Sequence, residues 1–338
     1  MVSHANRTPG GPISVPDVTV SIVNTNNRDV LLECLASLEA DRPRRTVEVE
    51  VVVLDNASED GSADAVRDRF PGVRLIAQQY RAGFGANHNT VIRSSDGRHV
   101  YVLNDDTTSD DWGFDRLVAY LDDHPAVGAV GPRMVYPDGR LQASAWRFPT
   151  PKAAAVGALT LGRAGVVQSC GDEPRRVDWV MAAALLVPRR VLDHVGLFDE
   201  SFFIYSEETD LCRRIVEAGY EVHWLPDPTI VHHVGHTTAR VPERWINEMW
   251  RSRHRYWRKH HSRPAARAAA LLTGWQYAAR AALAAGLLRV PERRRPVRVR
   301  PTDPAEFALN ARDAWRVSGP GLRELAEEWN GRVGAARS

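Results

Sequence analysis

The stretch VEVEVVVLDNASEDGS, residues 47–62, gives the clearest indication of the fold in this chain of 338 residues. Its first half alternates apolar and acidic side chains and then becomes continuously apolar, as a strand does when it enters a buried sheet. Its second half consists of residues that favour turns. We therefore predict a buried strand at residues 47–54 that ends at a polar loop.

Further strand and helix signals alternate on both sides of this strand. Short β-rich runs are separated by segments long enough for a helix, several of them with apolar residues at helical spacing. The predicted strands are residues 18–23, 47–54, 73–77 and 100–103, and the predicted helices between them are residues 30–38 and 63–70. This alternation predicts an α/β fold with a parallel sheet and helices on both faces.

Polar clusters follow three of the predicted strands, at residues 24–28, 55–62 and 104–108. In parallel sheets of this kind, ligands bind beyond the carboxyl ends of the strands, near the point where the strand order reverses. We therefore expect these three clusters to come together and to form the binding site.

The second half of the chain is less regular. Short mixed strands are predicted around residues 177–188, and a helix is predicted from residue 207 to about 218, with Ser206 as its N-cap and Gly219 as its stop. From Pro242 onwards the sequence is typical of helices and is rich in Arg and Ala.

Composition indicates a globular protein and excludes several classes. Hydrophobic residues make up 43% of the chain and charged residues 25%, which excludes wholesale disorder and a bundle of membrane spans. Cys34, Cys170 and Cys212 lie far apart without a CxxC pair, so neither a disulfide framework nor a zinc ribbon is expected. Residues 1–16 contain no apolar core of signal-peptide length, and we expect a short disordered lead there.

The charge is distributed unevenly along the chain. The net charge is +2, but residues 240–300 carry 16 Arg and Lys against 3 Glu, a local charge of +13. The rest of the chain is therefore acidic, and we expect the body to bind cations and the tail to meet anions. The apolar run at residues 265–288 is interrupted by Arg267, Gln276 and Arg280. This pattern predicts an amphipathic or interfacial helix rather than a membrane span.

Two acidic pairs are candidates for chemistry. Asp105 and Asp106 follow a predicted strand, where carboxylates can bind Mg²⁺ together with substrate phosphates, although a solvated Asx-type turn is an alternative. In the helix at residue 207, Glu208 continues the apolar line of Leu211 and Cys212. A partly desolvated carboxylate there would have a raised pKa and suit a general base.

The other face of this helix is predicted to be polar. Glu207 aligns with Asp210 and Arg214, and Asp210 has Arg213 and Arg214 within reach of an ion pair, an arrangement typical of a solvated face. Acidic residues in a first helical turn are also favoured by the helix dipole, which is the alternative explanation for all three acids.

Three further signals are weaker when taken alone. Asp55 at a strand end could hold a base or a ribose, or could simply form a turn with Asn56. The small residues of RAGFGAN, residues 81–87, allow close approach to a ligand, and Arg81 could meet phosphate, but a flexible loop explains the pattern equally well. The run VHHVGHT, residues 231–237, offers His232 and two further histidines as metal ligands or phosphate donors.

Together these stretches resemble family 2 glycosyltransferases. In order they are VSIVNTNNR, VVVLDNASEDGS, RAGFGANHN, VYVLNDDT, VDWVMAAALLVPRRVLDHVGLFDESFF, YSEETDLCRRIVEAGY and VHHVGHTT. The resemblance covers residues 18–238 and points to the rhamnosyltransferase-like branch, which builds bacterial cell-wall and surface polysaccharides. It implies a GT-A fold, with a mostly parallel central sheet flanked by helices, and an inverting, metal-dependent transfer of a hexose from a nucleotide-diphosphate sugar.

The resemblance also implies roles for individual residues. Asp106 stands where the family has the ligand of Mg²⁺ or Mn²⁺, and His232 occupies a His-x-x-Gly-x-Ser/Thr position that is associated with metal or diphosphate. Glu207 and Glu208 occupy a Glu-Asp position whose second acid is the usual base, in agreement with the argument from the helix face. The residues expected to bind the donor are Thr25, Asn26, Asp55, Asn56, Arg81, Gly83, Asn104 and Asp105.

The chain departs from the family pattern at two places. Glu208 is one methylene longer than the usual Asp, which puts the position of the base in doubt. The run Ala182-Ala183-Ala184 stands where Ser-Gly-Ala is commoner, which could narrow the acceptor pocket. Neither departure removes a chemical group that the reaction needs.

The expected organisation is a GT-A catalytic domain at residues 17–240 and a basic helical extension at residues 241–338. The expected partners are a dTDP- or UDP-sugar and a glycan, lipid-linked or small-molecule acceptor, with rhamnose among the candidate sugars. We expect a cytoplasmic protein. The basic tail could contact the inner face of the membrane, pack on the body or form a homodimer, and no nucleic-acid partner is expected. The main alternative function is a catalytically silent nucleotide-sugar-binding or scaffolding protein on the same fold.

Overall fold

A computed structural model of the protein describes residues 15–163, 166–233, 242–295, 297, 299–317 and 319–337. Most of the predicted N-terminal lead lies outside these residues. So do Gly235, His236 and Thr237, which belong to the histidine-containing motif.

Twelve strands are found in the described residues. They are β1 (Val18–Asn24), β2 (Val49–Asn56), β3 (Arg74–Gln78), β4 (His99–Asn104), β5 (Thr107–Thr108), β6 (Val127–Val135), β7 (Leu141–Gln142), β8 (Ala145–Trp146), β9 (Arg175–Val177), β10 (Trp179–Val180), β11 (Ala184–Pro188) and β12 (Glu221–His232).

Eleven α-helices accompany them in the same part of the chain. They are α1 (Arg28–Asp41), α2 (Ser62–Arg69), α3 (Phe84–Arg93), α4 (Phe114–Asp123), α5 (Pro151–Thr160), α6 (Arg189–Val195), α7 (Glu207–Glu217), α8 (Pro242–His260), α9 (Arg263–Leu288), α10 (Asp303–Trp315) and α11 (Leu322–Arg337).

The main sheet has the strand order β3-β2-β1-β4-β11-β6-β12-β5. Strands β3, β2, β1 and β4 are parallel, as the alternation of strands and helices predicts. Strand β11 runs antiparallel to both β4 and β6, and β12 is parallel to β6. Strand order reverses at β1, because β2 lies on one side of it and β4 on the other. A ligand is therefore expected at the carboxyl ends of β1 and β4.

Each face of the sheet is covered by its own hydrophobic core. On one face, β1 and β4 pack against α1 and α4, with Leu31, Leu35 and Leu117 fully buried. On the other face, the core contains Leu211 of α7 together with Trp250 of α8 and further apolar residues of α9 and α10. The tail therefore shares one continuous core with the sheet.

Helix α7 begins and ends where the sequence predicts. Ser206 is its N-cap residue, but its φ of +63° is left-handed and its side chain makes no capping hydrogen bond. Tyr205 before it has a φ of +68°, so two consecutive residues with side chains adopt a conformation that usually favours glycine. Gly219, with a φ of +92°, follows the end of the helix and allows the chain to turn back.

The prediction of a polar, solvated face on α7 is wrong. Asp210 is 0% exposed and Glu207 is 3% exposed. Helix α8 from the tail covers this face, and Lys259 Nζ and His260 Nε2 lie 2.7 and 2.8 Å from Asp210 Oδ1. Helical spacing alone identifies one buried stripe, and it gives no information about a second element that arrives from 50 residues further along the chain.

Candidate active site

The carboxyl ends of three neighbouring strands bring the predicted polar clusters together. In the sheet register, Asn24 at the end of β1 lies beside Asp55 of β2, and Asn104 of β4 lies beside Val23. Asn24 Nδ2 donates a hydrogen bond of 3.1 Å to Asp55 Oδ1, and the Ser58 backbone N–H donates one of 3.0 Å to Asp55 Oδ2. The buried Asp55 carboxylate is therefore held in one orientation.

Asn56, a donor-binding candidate, links a second candidate, Thr25, to the segment around Arg81. Its Nδ2 donates to Thr25 Oγ1 at 3.0 Å and to the Ala82 carbonyl at 3.3 Å. The Ala82 N–H donates back to Asn56 Oδ1 at 2.9 Å. The Asn26 side chain accepts a hydrogen bond of 2.7 Å from the Glu59 N–H, and Asn26 itself has a left-handed φ of +56°. The loops after β1, β2 and β3 thus form one connected rim.

The guanidinium of Arg81 is already engaged within the protein. Its Nη2 lies 3.0 Å from Glu59 Oε2, and the group lies over the ring of Trp329, with 4.3 Å between Cζ and the ring centroid. Gly83 is also explained by an internal contact, because a Cβ there would lie 2.3 Å from the Phe203 carbonyl oxygen. The close approach that the small residues allow is therefore made by the protein backbone. A role of Arg81 and Gly83 in binding the donor remains a prediction.

Asp106 and His232 meet at the end of β4. The short strand β5 pairs with the end of β12, which places His232 Nε2 3.1 Å from Asp106 Oδ1. His232 Nδ1 lies 3.1 Å from Gln142 Oε1, so this nitrogen donates its proton to the amide and Nε2 is directed at the carboxylate. Asn27 Nδ2 donates to Asp105 Oδ2 at 3.3 Å. Both acids of the pair face inward rather than solvent.

The two carboxyl groups have opposite pKa shifts. Burial raises the pKa of Asp105 well above its ordinary value, and the neighbouring charge of Asp106 adds to this effect. Burial also acts to raise the pKa of Asp106, but the close polar contact with His232 and the charge of that side chain outweigh it, and the net pKa is lowered. Asp106 is therefore the carboxylate of the pair that stays ionised.

The residues at this point fit a divalent cation that is completed by a substrate. Asp106 Oδ1 is buried and has no well-directed hydrogen bond, although it faces His232. Mg²⁺ and Mn²⁺ take oxygen ligands, and Mg²⁺ often binds through one or two carboxylates plus substrate phosphates. In the part of the chain that the structure describes, no group of three or more His, Cys, Asp or Glu side chains could hold a metal ion alone.

Glu207, which is buried, and Glu208, which is half-buried, form an acidic pair in the first turn of α7. Burial raises the pKa of both, and for Glu207, whose pKa is raised well above the ordinary value, the charge of Glu208 adds to the effect. For Glu208, hydrogen bonds from the helix backbone and the charge of Arg253 on α8 oppose part of the rise. Glu208 is the more accessible of the two, and its Oε2 has no hydrogen-bond partner within the described residues.

Sequence reasoning missed the residues that reach the site from distant parts of the chain. Gln142 comes from a two-residue strand, and Arg253, Trp329 and Asn330 come from the tail. The local charge of the tail was the available signal, but it does not identify which arginine turns inward. Only the fold brings these residues to the rim.

The fold is that of the GT-A glycosyltransferases, with polar candidates at the ends of the parallel strands and an acidic pair in the first turn of α7. Residues 16–282 match the family described as "Glycosyltransferase like family 2", and the chain belongs to this family. It is a glycosyltransferase, and the predictions of family, fold and enzyme class are confirmed.

Two curated relatives place the chain near the rhamnosyltransferases. It is 31% identical over 226 residues to the N-acetylglucosaminyl-diphospho-decaprenol L-rhamnosyltransferase of Mycobacterium tuberculosis, which covers 61% of this chain and 72% of that protein. It is 22% identical over 241 residues to the rhamnosyltransferase WbbL of Escherichia coli, which covers 65% of this chain and 84% of that protein.

Solved structures agree on the fold. The mannosyltransferase PcManGT from Pyrobaculum calidifontis, in complex with GDP-Man and Mn²⁺, matches with a TM-score of 0.53 and 19% identity over 95% of this chain and 85% of that chain. S. aureus TarS 1–349 matches with a TM-score of 0.53 and 15% identity over 83% of this chain and 77% of that chain.

Proposed function

We propose that the protein is an inverting, metal-dependent glycosyltransferase that moves a sugar, with rhamnose as the first candidate, from a dTDP- or UDP-sugar to an acceptor hydroxyl. The observation that carries this proposal is the pairing of Asp106 with His232 beside a polar rim at the ends of β1 and β2. The 31% sequence identity to the N-acetylglucosaminyl-diphospho-decaprenol L-rhamnosyltransferase of M. tuberculosis supports rhamnose as the sugar and a lipid-linked or glycan acceptor.

The donor would lie across the ends of β1, β2 and β4. Thr25, Asn26, Asp55 and Asn56 present amide, hydroxyl and carboxylate groups suited to a base and a ribose. Asp106, with His232 beside it, would hold Mg²⁺ or Mn²⁺. A cation bound there supplies positive charge for the diphosphate as the sugar leaves.

Glu208 would act as the general base. The acceptor oxygen attacks the anomeric carbon as the bond from that carbon to the diphosphate oxygen breaks, and Glu208 takes the hydroxyl proton. This single displacement inverts the anomeric configuration. A raised pKa suits this role, because the ideal base has a pKa near the working pH. Glu207 is more deeply buried than Glu208, so an acceptor hydroxyl reaches it less easily, and it is the less suitable group.

The first test is donor turnover and its dependence on metal. With a panel of dTDP-, UDP- and GDP-sugars, we expect Mg²⁺- or Mn²⁺-dependent hydrolysis or transfer with at least one donor, complete loss of activity with EDTA, and loss of metal-dependent donor binding in Asp106→Ala. Asp110→Ala, which removes an exposed carboxylate four residues further along, is the matched control and should behave as the wild type.

Two results would contradict this assignment. Full activity in excess chelator would refute the metal site. Donor binding without any turnover, across the panel and with acceptors present, would favour the silent binding protein.

The second test concerns the base. Glu208→Gln should lower kcat by about two orders of magnitude or more, the contribution typical of a general base, and should leave nucleotide affinity unchanged. Glu207→Gln should have a milder effect. Because the pKa of Glu208 is raised, this carboxyl ionises only at a higher pH. The acidic limb of the pH profile of kcat should therefore lie above the ordinary glutamate pKa of about 4.3. A larger loss in Glu207→Gln would make Glu207 the base instead.

A second proposal concerns the exposed apolar residues of α9 and of α5 and α10, which each pack on α9; we call this set the apolar face. Leu159 of α5 is 87% exposed, and Leu271 and Trp275 of α9 are 62% and 55% exposed. Val156 of α5 and Trp315 of α10 are also exposed, and Trp315 Nε1 donates to the Leu271 carbonyl at 3.2 Å. Large exposed apolar residues concentrated on adjoining elements are characteristic of an interaction surface.

The same elements also carry exposed basic side chains. Arg263 and Arg267 on α9, Lys152 on α5 and Arg316 after α10 are exposed. Arg280, by contrast, lies over the Phe307 ring, with 4.2 Å between Cζ and the centroid. None of the described helices combines the length and apolar composition that a membrane crossing requires. We propose that the apolar face docks on an anionic lipid surface, with the exposed cations at the headgroups.

Vesicle flotation tests this docking. The protein should float with phosphatidylglycerol-rich vesicles and not with pure phosphatidylcholine vesicles, and high salt should weaken binding. The double variant Leu271→Glu/Trp275→Glu should stay in the soluble fraction, whereas Val15→Glu, which changes an exposed apolar residue elsewhere, should float. If the wild type stays soluble at low salt, the face is instead a dimerisation or packing surface, and light scattering would distinguish the two.

The division into a catalytic domain at residues 17–240 and an extension at residues 241–338 is retained as part of this proposal. The shared core of α7, α8, α9 and α10 means that the extension would act as a built-in part of the enzyme.

A further inference from the structure

Helix α11, near the C-terminal end of the described chain, contacts both loops of the proposed donor site. We call residues 57–60, after β2, the first donor loop, and residues 79–83, after β3, the second donor loop. The side chain of Asn330 makes two hydrogen bonds to the backbone of Arg81 in the second donor loop. Its Oδ1 accepts from the Arg81 N–H at 2.7 Å, and its Nδ2 donates to the Arg81 carbonyl at 3.0 Å. The Asn330 amide therefore pairs with both backbone groups of Arg81, as a neighbouring strand would.

Trp329 joins the two loops. Its Nε1 donates to Glu59 Oε2 in the first donor loop at 2.9 Å, and its ring lies under the Arg81 guanidinium at 4.3 Å. The same Glu59 oxygen lies 3.0 Å from Arg81 Nη2. The three side chains form a closed triangle of a hydrogen bond, an ion pair and a cation–π contact, and Trp329 is buried within it.

The inner side of the same loop is held by a donor-site candidate. Asn56 exchanges hydrogen bonds with the N–H and the carbonyl of Ala82 at 2.9 and 3.3 Å. Residues 81 and 82 are therefore fixed from the outside by Asn330 and from the inside by Asn56. A shift of α11 would be passed to Asn56, and through it to Thr25, by direct hydrogen bonds.

Helix α11 is itself firmly attached. Arg251 Nη1 of α8 lies 2.6 Å from Glu324 Oε1 of α11, and Arg244 Nη1 of α8 lies 3.3 Å from Glu328 Oε1. Arg323 Nη2 donates to the Ser201 carbonyl at 2.8 Å, in the segment that leads to α7. Because these contacts anchor the helix without help from Trp329 or Asn330, the two residues are not required to keep α11 in place.

We propose that Trp329 and Asn330 are positioning residues of the donor site, which hold the two donor loops at the spacing that a nucleoside diphosphate requires. The inference rests on the proposed function, since it takes these loops to be the donor site. Arg81 then acts through its position: with its guanidinium stacked on Trp329 and paired with Glu59, it sets the loop rather than reaching for phosphate. The donor site is thus built in part by the C-terminal helix.

Calorimetric binding of dTDP and of UDP, in the presence of Mg²⁺, tests this inference on the full chain. Trp329→Ala and Asn330→Ala should each weaken nucleotide binding about tenfold, the loss expected for a hydrogen-bonded or cation–π contact that fixes the loop. Glu327→Gln, an exposed acid on the same helix, is the matched control and should bind as the wild type. Trp329→Phe, which keeps the stacking but loses the bond to Glu59, should be intermediate.

A double-mutant cycle separates positioning from general stability. If Trp329 acts through Arg81, Trp329→Ala should cause little further loss of affinity in an Arg81→Ala background. Additive losses, or unchanged affinity in both single variants, would overturn the inference. If Trp329→Ala does not fold, as judged by thermal unfolding, Asn330→Ala decides the outcome by its own loss of nucleotide affinity, because half-buried Asn330 holds the Arg81 backbone directly.

The failure of the inference can be distinguished from failure of the proposed function. If the wild type binds neither nucleotide, both fall. If the wild type binds and the α11 variants bind equally well, only the inference about α11 falls.

Discussion

The buried carboxylate of Asp210 is the constraint on which the arrangement of this enzyme depends. It is fully buried on α7 and lies between Arg214 Nε of the same helix, at 2.9 Å, and Lys259 Nζ and His260 Nε2 of α8, at 2.7 and 2.8 Å. An uncompensated buried charge is costly, so burial of Asp210 favours the one geometry of α7 and α8 that brings Arg214, Lys259 and His260 to its carboxylate. That geometry also fixes the turn of α7 that carries Glu208.

The pKa values show the strength of this arrangement. Burial acts to raise the pKa of Asp210, but hydrogen bonds from His260 and Lys259, with the charge of Arg214, outweigh it and the net pKa is lowered. Asp199 also contacts Lys259. Its pKa is lowered to about 2, because the hydrogen bonds from Lys259 and Ser201 outweigh the effect of burial. A lowered carboxyl pKa gives stability that is present above the ordinary value and is lost as the pH falls through the folded-state value. The contact of α7 with α8 is therefore complete at neutral pH and weakens in acid.

The tail consequently contributes at two ends of the proposed cleft. Through Asp210 and Arg253, helix α8 influences the position and charge of the acidic pair on α7. Through Trp329 and Asn330, helix α11 contacts the loops after β2 and β3. The apolar residues of α8, α9 and α10 belong to the same core as those of α7, so the catalytic body and the tail share one hydrophobic interior.

Much of the body could be predicted from local sequence. The alternation of apolar runs with turn residues predicts β1, β2, β3 and β4 to within about two residues at each end, because strand pattern and turn chemistry agree there. The placement of candidate residues at the carboxyl ends of these strands follows from the parallel topology.

The remaining features depend on contacts between residues far apart in the chain. Glu207 and Asp210 look solvated in sequence, because nothing in α7 shows that α8 will cover them. Two-residue strands such as β5 and β7, which orient His232 through pairing and through Gln142, are too short to give a periodic signal. In the sequence, Arg81 is a candidate phosphate ligand because it is basic and lies next to small residues. Only the fold shows that its guanidinium lies between Glu59 and Trp329.

The central claim, that Asp210 fastens the tail to α7, is tested most directly by urea unfolding of Asp210→Asn against Glu217→Gln. Both variants remove one carboxylate from α7, but Glu217 forms an exposed pair with Arg213, whereas Asp210 is buried against Arg214, Lys259 and His260. We predict a loss of about 3–5 kcal/mol in the free energy of unfolding for Asp210→Asn and less than about 1 kcal/mol for Glu217→Gln. Equal and small losses in the two variants would contradict the account.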